Sequence, residues 1–208
     1  MVIEENKKFN LTAITEKNEF ATKHLLDSCL PHALLPLNAS IIDVGAGAGF
    51  PSIPLKIIRP DLKLTMLDSL NKRVNFLNMC VKELKLENAI AVHDRAEDYA
   101  KKAREQFDVA IARAVASLDT LSEYCMPFVR VGGIFVALKG SSYLEEIDNA
   151  RSAILTLGGE IQDIQVLTIR EIEGVRANIV ISKKHNTPIK YPRGKNLPRL
   201  KPLGGKNS

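Results

Sequence analysis

Short runs of branched apolar residues alternate along the chain with segments in which apolar residues recur every three or four positions. Such runs are typical of buried parallel strands, and the wider spacing is typical of helices that pack one face on a sheet. The runs predict five strands, at Ser40–Val44, Lys63–Leu67, Ala89–His93, Asp108–Ala112 and Gly133–Leu138. The other segments predict helices at Glu16–Leu30, Ser52–Ile58, Asn71–Leu84, Glu97–Glu105, Leu118–Val129 and Leu144–Leu157. This alternation favours a doubly wound α/β fold with a parallel sheet.

The C-terminal part of the chain departs from the alternation. Two further apolar runs, Ile161–Ile169 and Asn178–Ser182, are joined by residues 170–177, which leave no room for a crossover helix. The two strands must therefore pair antiparallel or lie apart. Five parallel strands followed by a hairpin resemble the Rossmann-like sheet of methyltransferases that use S-adenosylmethionine (SAM). A dinucleotide-binding domain would more often continue with another βαβ unit.

A glycine-rich loop follows the first predicted strand. Asp43 ends the apolar run, and Gly45, Gly47 and Gly49 alternate with small residues before Phe50. Glycine lets the backbone approach a ligand closely, and the next helix offers free N–H groups at its start. The dinucleotide fingerprint would require glycine where Phe50 stands. The observed spacing instead resembles the first motif of SAM methyltransferases, and a plain strand–turn–helix connection is the alternative.

Ligands of a doubly wound sheet bind at the carboxyl ends of its strands. After the second strand, Asp68 can accept the ribose hydroxyls of an adenosine or cap the following helix. After the third, Asp94 and Glu97 can meet an adenine edge or simply stabilise a helix start. After the fourth, Arg113 needs an anionic partner, which can be a cofactor carboxylate, an RNA phosphate or a structural ion pair. Lys139, after the fifth, can meet a phosphate or lie solvated.

The basic residues are concentrated at one end of the chain. The net charge is +5, yet Lys183–Ser208 contains many lysines and arginines and no acid. Such a segment usually contacts a polyanion, most often nucleic acid, and a solvated, disordered end is the alternative. We therefore expect a domain at 1–184, whose first 38 residues form a helical cap, and a basic tail at 185–208.

Composition narrows the class of protein further. The three cysteines are far apart and lack zinc-site spacing, which favours reduced thiols and no metal centre. No apolar run approaches the roughly 20 residues that a membrane-spanning helix needs, and the N-terminus has no signal-peptide pattern. We therefore expect a cytoplasmic protein with no membrane contact. The Asp/Asn-Pro-Pro-aromatic motif of many amino-group methyltransferases is missing after the fourth strand, which argues against methylation of an exocyclic amine.

Several motifs occur in the order of one known family: Asn6–Thr12, His24–Ser28, Asp43–Pro54, Leu67–Arg73, Ala112–Ala114 and Ala137–Gly140. Together they resemble the bacterial small-subunit rRNA guanine-N7 methyltransferases, also called glucose-inhibited division protein B. The resemblance covers nearly the whole chain. Members of that family usually carry further helical residues before the position of Asn6, so we expect the N-terminal cap to be shortened here.

The resemblance implies SAM as methyl donor, S-adenosylhomocysteine as product, and 16S rRNA or the 30S subunit as substrate, at a guanine of the 530 loop. We also expect a monomer. It implies that the cofactor is contacted by Gly45, Phe50, Asp68, Ser69, Leu70, Ala96, Glu97 and Arg113, with Asp43 and Gly47 in the same loop. It also places Asn10, Thr12, His24, Asp27 and Lys139 on the substrate side. Among these residues Arg113, Lys139, His24 and Asp27 are candidates for catalysis, and a structural histidine is the alternative for His24.

The expected mechanism is transfer by positioning. Guanine N7 holds a lone pair in the neutral base, so no general base is required. N7 lies in the deep major groove of an RNA helix, so we expect an unstacked target base. The competing interpretations are a methyltransferase for a small molecule or protein, an RNA-binding module that keeps SAM without catalysis, and a nicotinamide dehydrogenase.

Overall fold

A seven-stranded sheet forms the centre of the protein. The computed structural model describes residues 1–169 and 174–204. The sheet has the order β3-β2-β1-β4-β5-β7-β6. Its strands are β1 Ser40–Val44, β2 Lys63–Asp68, β3 Ala89–His93, β4 Phe107–Arg113, β5 Val129–Lys139, β6 Gly159–Leu167 and β7 Arg176–Lys183.

Helices cover both faces of this sheet. They are α1 Val2–Asn6, α2 Lys17–Phe20, α3 Asp27–Cys29, α4 Ser52–Ile58, α5 Asn71–Glu83, α6 Ala96–Tyr99, α7 Leu118–Cys125, α8 Tyr143–Thr156 and α9 Leu197–Leu200. A π-helical segment, Ala21–Leu26, joins α2 to α3, and short 3₁₀ helices lie at Leu30–Leu34 and Met126–Phe128. None of the helices in the described part of the chain is long and apolar enough to cross a membrane.

The predicted sheet is confirmed. Strands β1 to β5 pair in parallel, and β7 pairs antiparallel with both β5 and β6. Strand β7 thus lies between β5 and β6. Part of the predicted connection 170–177, namely residues 170–173, lies outside the described residues, whereas Arg176 and Ala177 already belong to β7. The strand order reverses between β1 and β4, so the carboxyl ends of these two strands form the natural ligand crevice.

Alternate residues of the central strands pack into two apolar layers, one on each face of the sheet. In β1, Ile41 packs with the layer that contains Ile53 and Leu77, whereas Ile42 packs with the layer that contains Leu121. Successive side chains of a strand point to opposite faces, so a strand covered on both faces must be apolar throughout. This double burial explains the continuous apolar runs of the sequence.

Three helix predictions were wrong in extent. The helix expected at Glu97–Glu105 is only α6, because the chain turns after Tyr99 toward Glu105, where φ is +52° and the amide donates to Pro127 O. The helix expected at Leu118–Val129 ends at Cys125 and gives way to a 3₁₀ turn that contains Pro127. The helix expected at Glu16–Leu30 is interrupted by the π-helical segment.

The segment predicted as a basic tail packs against the domain as far as it is described. We call residues 185–204 the C-terminal strap. The ring of Tyr191 is buried against the main core, and Arg104 donates a hydrogen bond of 2.8 Å to the Tyr191 carbonyl. Arg193 pairs at 2.6 Å with Glu123, whose side chain is fully buried. These contacts hold the strap on the surface formed by α6 and α7.

Candidate functional site

The glycine loop crosses from β1 to α4 directly over the end of β2. The amides of Gly45 and Ala46 both donate to Leu67 O, at 2.8 and 3.1 Å. Gly45 has φ of +79°, and a Cβ there would lie 2.7 Å from Val115 Cγ2. Only glycine combines that backbone conformation with that approach. The loop is therefore wedged between the carboxyl end of β2 and the segment that follows β4.

Asp68 is fixed by the same loop. Its Oδ2 accepts a hydrogen bond of 2.9 Å from Gly47 N, and its Oδ1 accepts one of 2.9 Å from Leu70 N. Arg73 lies 3.5 Å from Oδ2. The side chain is buried, yet it borders two cavities. Asp68 is therefore held in a fixed position at the junction of the two cavities.

The smaller of these cavities, about 130 Å³, lies at the carboxyl ends of β2 and β3. We call it the inner pocket. Its polar lining includes Asp68, Ser69, Asp94, Arg95, Glu97 and Asn196. Oε1 of Glu97 is buried and accepts no hydrogen bond within residues 1–169 and 174–204, and its cation neighbour Arg95 is 3.5 Å away. A buried acceptor without a donor is a feature of a site that a ligand completes.

A second cavity of about 470 Å³ adjoins the inner pocket, and we call it the middle cavity. The two share the residues Gly45, Asp68, Ser69, Val115 and Arg199. Its floor is the glycine loop as far as Phe50, and Arg113 stands on its far side. Gly47 faces free space, since a Cβ there would meet only Gly45 O at 3.8 Å.

A third cavity of about 540 Å³ continues beyond Arg113, and we call it the outer basin. It shares His24, Arg113, Ala114 and Val115 with the middle cavity. Its charged lining is Lys23, Asp27, Arg113, Lys139, Glu146 and Arg176. The three cavities thus form one cleft along the carboxyl edge of the sheet, and its outer end is rich in cations.

Arg113 joins the middle cavity to the outer basin. Its Nη1 donates to Asp27 Oδ2 at 2.8 Å, and its Nη2 lies 3.1 Å from His24 Nδ1. The guanidinium also lies over the Phe50 ring, 5.4 Å from its centroid. Asp27 in turn accepts a hydrogen bond of 3.0 Å from Arg176 Nε. The anionic partner that the sequence required for Arg113 is therefore Asp27, so the structural ion pair is present.

The hydrogen-bond partners of His24 fix its tautomer. A guanidinium can only donate, so His24 Nδ1 accepts from Arg113 and the ring proton resides on Nε2. Nε2 then donates to Thr12 Oγ1 at 2.6 Å. The ring also stacks on Phe50, with centroids 4.7 Å apart. Burial, followed by the charge of Arg113, lowers the pKa of His24, which keeps the imidazole neutral.

Asn6 holds the loop that carries Thr12. Its side-chain oxygen accepts hydrogen bonds from Leu11 N at 2.7 Å and Thr12 N at 2.9 Å, and its amide donates to Thr12 O at 3.0 Å. Asn10, expected on the substrate side, is exposed and lines none of the three cavities. The structure therefore brings Thr12 to His24 but leaves Asn10 outside the cleft.

Lys139 was expected to meet a phosphate or lie solvated, and Asp43 to contact the cofactor. Both have other surroundings in the structure. Lys139 lines the outer basin, but its amine is bound to Ala116 O at 2.7 Å and to Glu146 at 2.6 Å. Asp43 is fully buried beneath the glycine loop, with Ser52 as a polar neighbour. Burial raises the pKa of Asp43 to about 7, and the nearby Ser52 and Arg113 offset only part of that effect.

Most residues named from the sequence converge on this cleft. The inner pocket and middle cavity bring together Gly45, Gly47, Phe50, Asp68, Ser69, Ala96, Glu97, Arg113 and His24. Leu70 lines none of the three cavities, and its side chain is exposed; its amide positions Asp68 instead. Sequence reasoning missed Val115, Asn196, Arg199 and Arg176, which reach the cleft only through tertiary packing. Within the described residues, no group of three or more His, Cys, Asp or Glu side chains could hold a metal ion.

Comparison with known proteins identifies close relatives. A family model described as rRNA small subunit methyltransferase G matches residues 1–174. Ribosomal RNA small subunit methyltransferase G of Desulforamulus reducens is 48% identical over 207 residues, which cover 98% of this chain and 86% of the relative. The protein of the same name from Macrococcus caseolyticus is 51% identical over 205 residues, covering 97% and 86%. The fold is also similar to the crystal structure of M. jannaschii TYW2 in complex with AdoMet, with a TM-score of 0.61, 17% identity and coverage of 81% and 77%.

Proposed function

The chain belongs to the rRNA small subunit methyltransferase G family, and we propose on that premise that it transfers the methyl group of SAM to N7 of a guanine in the 530 loop of 16S rRNA. The observation that carries the proposal is the single cleft in which the glycine loop and Asp68 adjoin a cation-lined basin. A cofactor site and a site for an anionic polymer thus share one edge of the sheet.

The residues of the inner pocket and middle cavity fit SAM. Asp68 would accept the ribose hydroxyls, since backbone amides hold both of its oxygens in place and the side chain borders both cavities. Glu97, whose Oε1 makes no hydrogen bond in the described structure, would face the adenine end. The backbone at Gly47 faces open space and would lie against the methionine part. A bound SAM supplies a methyl group on a positively charged sulfur, which makes that carbon electrophilic.

The protein side of the reaction is orientation. Guanine N7 attacks with a lone pair of the neutral base, so no side chain has to remove a proton. His24 is consistent with that requirement, because its Nδ1 is occupied by Arg113 and its Nε2 already carries a proton. Holding two reacting groups in line can by itself supply about 7–11 kcal/mol of rate enhancement.

The outer basin would hold the RNA. Lys23, Arg113, Lys139 and Arg176 line it together with Asp27 and Glu146, so cations outnumber carboxylates in the described part of the lining. Lys23 also pairs with Glu19 at 2.6 Å, outside the basin lining. Phosphate contacts from such side chains make binding depend steeply on salt concentration. The cavity is a concave pocket, so it suits a base that has left the helical stack.

The proposal is tested by methyl transfer from radiolabelled SAM to small ribosomal subunits and to free 16S rRNA, both lacking this modification. We expect label in RNA from the wild-type protein and loss of transfer in Asp68→Asn, which removes the charge at the ribose position. The matched control is Asp98→Asn, because Asp98 is exposed and pairs only with Lys101 among the ion pairs of the described chain. Label in protein or small molecules, with none in RNA, would contradict the proposal.

A further inference from the structure

The C-terminal strap lies beyond residue 174, where the family match ends, yet it is anchored to the domain at several points. Arg193 makes charge-assisted hydrogen bonds of 2.6 to 3.1 Å with the buried carboxylate of Glu123. Thr120 Oγ1 donates to Pro198 O at 3.1 Å. Because the carboxylate of Glu123 would otherwise be buried without a counter-charge, this anchor specifies where the strap runs.

The anchored strap reaches the cofactor cleft. Asn196 and Arg199 both line the inner pocket, and Arg199 also lines the middle cavity. Asn196 has φ of +61°, a conformation that asparagine tolerates better than most residues, and its Oδ1 accepts from Arg95 Nη2 at 3.3 Å. Arg199 Nη2 lies 3.4 Å from Val115 O, next to the contact that restricts Gly45. The strap therefore provides one wall of the pocket.

The chemistry of this wall suits an adenosine. The amide of Asn196 offers a donor and an acceptor side by side, the pattern that pairs with an adenine edge. Glu97, which lines the same pocket, has a buried oxygen that makes no hydrogen bond in the described structure, with Arg95 3.5 Å away. Arg199 borders the junction of the two cavities, where Asp68 also lies. Polar groups from the sheet and from the strap thus meet in one 130 Å³ space.

We propose that the strap is part of the cofactor site, with Asn196 contacting the adenine ring and Arg199 closing the cleft above the ribose. The inference rests on the proposed use of SAM. It assigns to the basic end of the chain a role other than a free RNA-binding arm, because Glu123 and Arg104 fix the strap so that Asn196 and Arg199 line the inner pocket.

The test measures the affinity of the full chain for S-adenosylhomocysteine by titration calorimetry. We expect Asn196→Asp and Arg199→Gln each to weaken binding roughly tenfold, the loss typical of one hydrogen bond that involves a charged or well-oriented group. Asn196→Asp keeps side-chain size, and aspartate tolerates the backbone conformation at 196. Arg199→Gln removes the guanidinium and its charge but keeps a polar side chain. The control is Lys201→Ala, which removes an exposed charge from the same strap, two residues from Arg199, and should leave affinity unchanged.

A parallel titration with an RNA fragment that contains the 530 loop separates the alternatives. Unchanged S-adenosylhomocysteine affinity in both variants, with weaker RNA binding, would overturn the inference and assign the strap to the nucleic acid. Equal loss in the Lys201→Ala control would overturn it as well, because a general charge effect would then explain the result. Failure of the wild-type chain to bind S-adenosylhomocysteine at all would instead contradict the proposed function.

Discussion

The buried carboxyl group of Asp43 should make the stability of the protein fall as pH rises through neutrality. Asp43 is completely buried, and the nearby Ser52 and Arg113 offset only part of the effect of burial. Burial raises its pKa from the ordinary value of 3.8 to about 7. The folded state therefore holds a proton that the unfolded state has already lost over that interval.

The magnitude follows from this difference. One pKa unit corresponds to about 1.4 kcal/mol, so the full rise in the pKa of Asp43 amounts to about 4 kcal/mol of unfolding free energy. Because the folded pKa is raised, this stability is fully present below 3.8 and is lost as pH rises through about 7. About 3 kcal/mol of the loss falls between pH 5 and pH 8.

The assay is urea unfolding of the wild type and Asp43→Asn at pH 5 and pH 8. An amide cannot ionise, so the variant should gain about 3 kcal/mol relative to the wild type between the two pH values. The control is Asp108→Asn. Hydrogen bonds from Ser40 and Arg130 lower the pKa of Asp108 against the effect of burial, so Asp108 is ionised at both pH values. Its substitution should therefore lower the unfolding free energy by the same amount at pH 5 and pH 8. If the difference between Asp43→Asn and the wild type were independent of pH, the account of Asp43 as a buried acid with a raised pKa would be refuted.

Three further substitutions test other parts of the site. Gly45→Ala should abolish SAM binding and cost about 1–3 kcal/mol of stability, because the new Cβ meets Val115 in a left-handed backbone conformation. The control Gly140→Ala, where nothing lies within 4 Å of a Cβ, should change neither property. If calorimetry and unfolding showed the same losses for both variants, the steric explanation would be wrong. Arg113→Gln should raise the pKa of His24, because the positive charge of Arg113 contributes to lowering it, and an NMR titration of the imidazole that showed no rise would contradict the contact. Asn6→Ala should raise the KM for RNA while S-adenosylhomocysteine affinity stays constant, because the loop that carries Thr12 loses three hydrogen bonds. The control Asn18→Ala changes an exposed amide on α2 and should leave both quantities unchanged. A loss of S-adenosylhomocysteine affinity in Asn6→Ala would contradict this account.

The central sheet was predictable because its signal is local. Strands such as β1 and β3 match the predicted bounds, since each apolar run is short and bounded by polar or turn residues. Segment ends were harder to place where tertiary contacts decide them. α6 is shorter than predicted because Glu105 takes a left-handed conformation and bonds to Pro127 O, which the amphipathic pattern does not reveal.

The side of the cleft that we propose for the cofactor could be located from sequence, because the glycine loop and Asp68 lie at fixed places relative to β1 and β2. The contacts of Arg113 with His24 and Asp27 join residues almost ninety positions apart, so spacing could not give them. The strap shows the same limit: charge composition identifies a basic segment, but only packing reveals that Arg193 is matched to the buried Glu123.

The measurement that tests the central claim most directly is the position of the methyl group in the product RNA. Small subunits that lack the modification are incubated with the protein and SAM, and the RNA is then cleaved chemically at 7-methylguanine and mapped by primer extension. The account predicts one new cleavage, at a guanine of the 530 loop. Cleavage elsewhere, or methyl incorporation at an atom other than N7, would contradict it.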